Sequence, residues 1–461
     1  MKKTFLYSLA VLASVSLASC NGDYDDWAQP QHNPQEASAA KYGITFTAGP
    51  EAECNMPDED GVINLVTVNS TDANVAGYTL KDLKVNGEAI KGEISGNNIQ
   101  VNATELEKIL CNQNNSRASV ARDINVESKV SVNLASGDAV VINTVGTTTA
   151  KLTPTPTPAI DPNGYYMLGE INGNGWDNTN PEWMTKVSDG VYQLKVTTEK
   201  DKNWFKFYEG SKFVSGDWDA INSGALGCKD NGCEDASGYI YYTGDKWGEL
   251  QTIVIPGAGT WIVTLDMNNL TYTVGKPVLY MKGDANGWNG YDYLAGDDGV
   301  HFTGFMYLNQ NGFKFTTAPD WSGTGYGADF STAPDADNIV MTEDPGYYKV
   351  DVDLSAKSYT LTAITTIGII GAATPGGWDK DTDLTYNVAE RCWEIKDVEL
   401  KTGECKFRAN DDWAMQWGYD GEKFVYSNNA PAVQFIPEAG TYDIKLYAWA
   451  NGYAKCEFIK K

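Results

Sequence analysis

Between residues 41 and 152, apolar and polar side chains alternate with a period of two in short runs, such as Val62-Ile-Asn-Leu-Val-Thr-Val68 and Val126 to Leu134. Alternation of that kind predicts strands with one face in a core. One stretch breaks the period: Leu106, Ile109 and Leu110 follow a helical spacing, and Thr104 with Glu107 predicts a capping box ahead of them. A strand-rich region of about 110 residues with a single short helix predicts an immunoglobulin-like sandwich.

Thr153-Pro-Thr-Pro-Thr-Pro158 then interrupts the pattern, and alternating proline favours an extended, semi-rigid spacer over 153–159. Beyond it the chain repeats itself three times. Opening strands end at Gly169, Gly283 and Gly371, and each is followed by a loop ending Gly-Trp: Gly175-Trp176, Gly287-Trp288 and Gly377-Trp378. Mid-module strands read Phe205-Lys206-Phe207, Phe313-Lys314-Phe315 and Cys405-Lys406-Phe407. An Asp-Trp pair follows each: Asp217-Trp218, Asp320-Trp321 and Asp412-Trp413. Lys and Trp stand seven residues apart in the second and third repeats and twelve apart in the first, which predicts a loop insertion there. Closing hairpins begin at Gly259, Gly346 and Gly440, and Tyr272, Tyr359 and Tyr453 lie thirteen residues further on, in strand positions that read as packing. The predicted architecture is all-β: an Ig-like sandwich over 41–152, then three tandem β-sandwich modules over 160–276, 277–363 and 364–461.

The first forty residues belong to neither part. Met1-Lys2-Lys3 precedes an apolar run from Phe5 to Ala18, too short for a membrane-spanning helix and suited to a secretory signal over 1–19. Leu17-Ala18-Ser19-Cys20 resembles a bacterial lipobox, in which the cysteine is acylated and becomes the mature N-terminus. Asp23, Asp25 and Asp26 follow, and 20–40 reads as a flexible tether. The expected setting is therefore a membrane surface, with the body held some distance off it by lipid alone.

Composition narrows the chemistry. A net charge of −26 repels phosphate, so nucleic acid and anionic lipid are excluded as partners. There are only two histidines, His32 in the tether and His301, which leaves little for a Ser-His-Asp triad or a multi-His zinc centre. No nucleotide-binding or nucleophile-elbow motif is present. Asp379, Asp381 and Asp383 alternate as in a calcium loop, but Leu384 stands where the turn glycine belongs, so a solvated acidic loop is the reading and no metal or cofactor is expected. No pair among the 61 acids is marked for carboxylate catalysis, and the chain reads as a binding protein, not an enzyme. Of eight cysteines, Cys228 and Cys233 are spaced for a small disulfide ring and Cys392 and Cys405 for pairing across a hairpin. Connectivity does not follow from sequence, and buried thiols are the alternative for Cys392, Cys405 and Cys456.

There are 14 Trp and 26 Tyr, and the stretch from 41 to 152 contains no Trp at all. A sugar ring offers an apolar C–H face and a rim of hydroxyls. An exposed indole stacks on the face with little entropy loss, while Lys, Asp and Asn supply donors and acceptors for the rim. The repeated set is Trp176, Lys206 and Trp218; Trp288, Lys314 and Trp321; Trp378, Lys406 and Trp413, with Asp217, Asp320, Asp412 and Arg408 beside them. A Trp after a Gly in a β-loop is also a common core plug. The loop setting of these Trp and the outward register of the Lys favour a carbohydrate-binding platform. Trp204 and Trp417 are weaker candidates.

Taken in order, the lipobox with its acidic residues, the Ig-like domain with Thr104-Glu-Leu-Glu-Lys-Ile-Leu110 and the three modules resemble the SusE/SusF outer-membrane lipoproteins of Bacteroidetes. Three modules is the SusF-like number. The resemblance implies starch or maltooligosaccharide binding at the cell surface without catalysis. It further implies an N-terminal domain that binds no glycan, and as partners a TonB-dependent transporter and a SusD-like lipoprotein. The longer loop and the Cys228–Cys233 insert set the first module apart. A different glycan, or a structural or adhesive role without glycan dependence, stays open on the residues alone.

Overall fold

The structure, a computed structural model, describes residues 41–461 apart from 138, 143–146, 322, 422 and 428–433. The signal segment, Cys20 and the tether lie outside the described residues. Among those described, no helix is long and apolar enough to cross a membrane. The described residues divide into two compact units, with the boundary between Pro156 and Thr157.

The first unit is a sandwich of two sheets. One has the order Thr45–Ala48, Val62–Asn69, Asn98–Asn102, Gly92–Ser95. The other runs Glu53–Asn55, Thr147–Thr153, Arg122–Leu134, Val75–Val85, Glu88–Ala89, with Ala139–Ile142 paired to Arg122–Leu134. Ile63, Leu65, Val66 and Val68 are all buried, although strict alternation allows only every second residue. A register shift between Asn64 and Val66 accounts for this, because a bulge turns two successive side chains to the core. The helix spans Ala103–Asn114, and Leu106, Ile109 and Leu110 pack into the core. Its N-cap is Asn102, whose side chain accepts from Glu105 N at 2.9 Å. The capping box expected from Thr104 is not formed: the Thr104 hydroxyl donates to Asp60, and Glu107 accepts from Thr155 N at 2.7 Å.

The second unit holds the repeats. Residues 160–276 form two sheets over one core, six-stranded around Lys202–Glu209 and five-stranded around Gly259–Asp266. Cys228 and Cys233 form a disulfide. In the two later repeats the layers are continuous. Asp292–Ala295 pairs with Val278–Gly283 on one side and with His301–Leu308 on the other, and Thr382–Asn387 bridges Ile367–Ile370 and Cys392–Leu400 in the same way. Each sheet folds over its own core. Cys392 and Cys405 are not joined; both are buried free thiols, and burial pushes the Cys405 thiol up to about 12.

The second and third repeats share apolar interior. Along His301–Leu308, Phe302, Met306 and Leu308 face the second repeat's core, while Phe305 packs into the third repeat's core. Along Gly346–Asp353, Tyr348, Val350 and Val352 face inward, and Tyr347 joins the neighbouring core, its hydroxyl donating to Ala448 O at 2.8 Å. This strand pair is covered on parts of both faces. Stacking of Tyr293 on Tyr453 (3.9 Å between centroids, 9° between planes) and an ion pair between Arg391 and Asp292 complete the seam. Tyr453, expected in a strand, instead lies in the turn before the strand Lys455–Lys460 and packs on the preceding repeat, whereas Tyr272 and Tyr359 sit in strands and pack within their own repeats.

Candidate carbohydrate-binding sites

In each repeat the opening strand pairs antiparallel with the Phe/Cys-Lys-Phe strand, and the latter alternates inward Phe or Cys with outward Lys. Phe205, Phe207, Phe313, Phe315, Cys405 and Phe407 are buried, and Lys206, Lys314 and Lys406 are half-buried. Their register partners are Leu168, Lys282 and Ile370, on the same outward face. The Gly-Trp loop and the Asp-Trp loop flank this face.

In the second repeat Gly287 and Trp288 both take left-handed backbone angles (φ 70° and 61°). The Trp288 and Trp321 rings lie 6.3 Å apart with planes 27° from parallel, and Trp321 is 53% exposed. The cation against Trp321 is Lys282, its ammonium 4.9 Å from the ring centroid and donating to Pro319 O at 2.9 Å. Lys314 lies opposite Lys282 on the adjacent strand and makes no recorded contact with either ring among the described residues. Sequence comparison missed Lys282 because the equivalent positions are Leu168 and Ile370; its outward register before Gly283 was the available signal.

In the third repeat Trp378 and Trp413 are 6.4 Å apart at 39°, and they are 42% and 41% exposed. Two cations sit against Trp413: Arg408 at 4.4 Å and Lys406 at 5.1 Å. Arg408 is only 9% exposed and is held by Asp381, with Nε 3.0 and 2.8 Å from the two carboxylate oxygens. Lys406 donates to Gln416 Oε1 at 2.6 Å, and burial lowers its pKa. Gly368 lies beneath this pair, where a Cβ would come within 2.6 Å of Asp381 Cβ, so the strand has no room for a side chain. Asp381, one of the alternating acids, thus serves Arg408. Trp417 is fully buried in the core, with no exposed face to offer.

The first repeat is built differently. Leu168, Tyr166 and Tyr208 occupy the outward face where the third repeat has Ile370, Gly368 and Arg408. They form a small apolar cluster with Ile221 and Ala225, and half-buried Trp176, Phe213 and Leu250 pack against it. No ring contact joins Trp176 to Trp218 among the described residues. Trp218, 39% exposed, opens the short helix Trp218–Asn222. Trp183, 45% exposed and not singled out by the repeat pattern, packs on Tyr166 and Phe213 at 5.1 and 5.8 Å. Lys206 has its pKa lowered by burial. Trp204 is half-buried beside Gly232.

The aspartates of the Asp-Trp pairs shape the loops. Asp217 caps the helix by accepting from Asp219 N and Ala220 N at 3.0 and 3.1 Å, and Asp412 accepts from Trp413 N at 2.6 Å. Asp320 is exposed before Trp321. Acceptors spent on backbone N–H groups orient the following indole and are less available to a ligand.

A family model described as the N-terminal domain of outer membrane protein SusF matches residues 20–154, and one described as the first starch-specific CBM of SusF matches residues 159–276. The outer membrane protein SusF of Bacteroides thetaiotaomicron is 27% identical over 415 residues, covering 82% of each chain. The crystal structure of SusF from the same organism superposes with a TM-score of 0.43 at 20% identity, over 90% of this chain and 99% of that one. Two SusF models in SusF order span more than half of the chain, and with the long alignment behind them the chain belongs to the SusF family.

Proposed function

We propose that this protein is an outer-membrane lipoprotein that binds starch and maltooligosaccharides at the cell surface, through aromatic platforms on tandem modules bounded near 160–276, 277–363 and 364–461. The observation that carries the reading is the indole pair that recurs in the second and third repeats, 6.3 and 6.4 Å between centroids, with Trp321, Trp378 and Trp413 exposed, Trp288 half-buried, and buried cations behind them. In each pair the two rings, 6.3 and 6.4 Å apart with planes 27° and 39° from parallel, supply two neighbouring apolar faces for consecutive sugars along an α-1,4 chain. Lys314, Lys406 and Arg408 are assigned as donors to sugar hydroxyls, and Trp176, Lys206 and Trp218, with Asp217, Asp320 and Asp412, complete the assigned residues. Support for starch comes from the starch-specific module model over 159–276 and from the SusF relative.

The protein acts as a binder, not an enzyme. Cys20 carries the lipid anchor, and a TonB-dependent transporter with a SusD-like lipoprotein receives the captured glucan. Weak sites in series gain avidity on a polymer through effective concentration. The test is retention of residues 21–461 on insoluble starch beside the Trp218→Ala, Trp321→Ala, Trp413→Ala triple variant. Retention of the parent and loss by the folded variant is the expected result. Equal retention would remove these Trp from the site. No retention by either would remove starch.

A further inference from the structure

Away from the Trp platforms, a cleft of about 540 Å³ opens along the seam between the second and third repeats. Its floor follows from the alternation described above. Thr303, Phe305, Lys349 and Asp351 project from the side of their strands that faces away from the second repeat's core, with Thr303 opposite Asp351 and Phe305 opposite Lys349. Phe305 is buried by the third repeat, while Thr303 and Lys349 are left lining the cleft. One wall is the turn bearing Asp297 and Asp298, and the other carries Tyr426 and Asn451 from the third repeat.

The polar groups here are largely neutralised in place. Lys349 is paired with Asp351 at 2.8 Å, and Asp298 accepts from His301 Nδ1 at 2.7 Å. Thr303 donates to Asp351 at 2.6 Å. Other groups keep capacity for a ligand. The Asn451 carbonyl oxygen accepts from Tyr426 N at 2.8 Å, which turns its amide N–H₂ outward as a donor. The Asp297 carboxylate has no hydrogen-bond or ion-pair partner recorded among the described residues and is exposed. Asp297 and Asp298 at the rim disfavour an anion, and the mixed polar lining disfavours an apolar ligand. Donors and acceptors interleaved beside one aromatic ring match a neutral polyol. The cleft continues past Asp297 and Asn451 into a second hollow of about 420 Å³ that reaches Tyr453 and is lined also by Lys276 and Lys423, whose charges offset the rim aspartates, so there is length for more than one sugar and no net charge to favour an ion.

We infer that this seam is an additional saccharide-binding site, taking a short neutral oligosaccharide, separate from the Trp platforms and built only where the second and third repeats are locked together. It rests on the proposed function for the class of ligand and on none of the platform residues. Both walls are anchored by the shared core, so the cleft is preorganised.

The probe is maltotriose, followed by ligand-observed NMR and titration calorimetry on residues 21–461 carrying Trp218→Ala, Trp321→Ala and Trp413→Ala. Residual binding is expected in this background. Adding Asp297→Ala or Asn451→Ala should weaken it about fivefold each, as expected for one lost hydrogen bond of about 1 kcal/mol. Because Asn451 also holds Tyr426 N, Asp297→Ala and Tyr426→Phe serve as variants that leave that bond intact, with unchanged melting temperature as the control. No residual binding, or residual binding indifferent to all of these variants, overturns the seam site. Platform-dependent starch retention with no residual binding removes the seam alone. Seam-dependent maltotriose binding without starch retention removes the platforms alone.

Discussion

Arg391 crosses from the third repeat to the second, donating to Tyr291 O at 2.9 Å and pairing with the Asp292 carboxylate, whose side chain is 8% exposed. The other Asp292 oxygen accepts from Asn286 Nδ2 at 2.9 Å, and Asn286 in turn accepts from Gly283 N, inside the loop that carries Trp288. Replacing Arg391 with Ala leaves a buried carboxylate with one amide partner. Breaking a buried pair from one side costs about 3–5 kcal/mol. Arg391 is itself 36% exposed, so water replaces part of what is lost, and about 2 kcal/mol at pH 7 is expected for Arg391→Ala. For a cooperative body of this size that is a fall of roughly 4–8 °C in melting temperature.

The pH dependence separates charge from packing. Burial raises the Asp292 carboxyl above its usual range, and the Arg391 charge pulls it partly back. A carboxyl that holds its proton more tightly when folded costs stability as pH rises through the unfolded value near 4, and the full cost is present above the folded value. Without Arg391 the folded value rises further, so the gap between parent and variant should be widest at neutral pH and narrow toward pH 4.5. Adding Asp292→Asn to Arg391→Ala should recover most of the loss at pH 7. Denaturant melts at pH 7 and 4.5 supply the measurement. A gap below about 0.5 kcal/mol at pH 7, or one of equal size at both pH values, would refute the reasoning.

The two kinds of tryptophan should part company on mutation. Trp413→Ala removes an exposed ring and is expected to weaken maltoheptaose binding by the third module about tenfold or more in calorimetry, with little change in stability. Trp176→Ala removes a half-buried ring packed against the apolar cluster of the first repeat, and about 2–3 kcal/mol of stability should be lost in denaturant melts while starch retention by the other modules persists. At the helix in the first unit, Asn102→Ala should cost about 1 kcal/mol as the loss of a cap, whereas Thr104→Ala should cost only the weaker hydroxyl contact with Asp60; the reverse order in paired melts would restore Thr104 as the cap.

Local pattern carried much of the architecture. Strand alternation, the proline run at 153–158 and the threefold recurrence of Gly-Trp, Lys and Asp-Trp are all properties of neighbours in the chain, and the strands and flanking loops form where those patterns predict. The helix was legible and its cap was not: Asp60, remote in the chain, accepts from both the Thr104 hydroxyl and the Asn102 amide, which occupies Thr104 and turns the Asn102 oxygen toward Glu105 N as the cap.

Repetition in sequence says that equivalent residues exist, and it does not say what stands opposite them. Whether a repeated Trp becomes an exposed pair depends on the outward residues of the adjoining strand. Small or charged residues there, Gly368 and Arg408 in the third repeat, leave the indole on a cationic bed, while Tyr166, Leu168 and Tyr208 in the first draw Trp176 down onto apolar surface. Lys282 took the place expected of Lys314 for the same reason, since cross-strand register brings it to Trp321. The seam between the second and third repeats lay beyond sequence altogether. Phe305 and Tyr347 alternate like ordinary strand residues, and only the tertiary contact with a core some hundred residues downstream determines that their outward face is buried, because burial is set by what packs against a strand and alternation records only that its two faces differ.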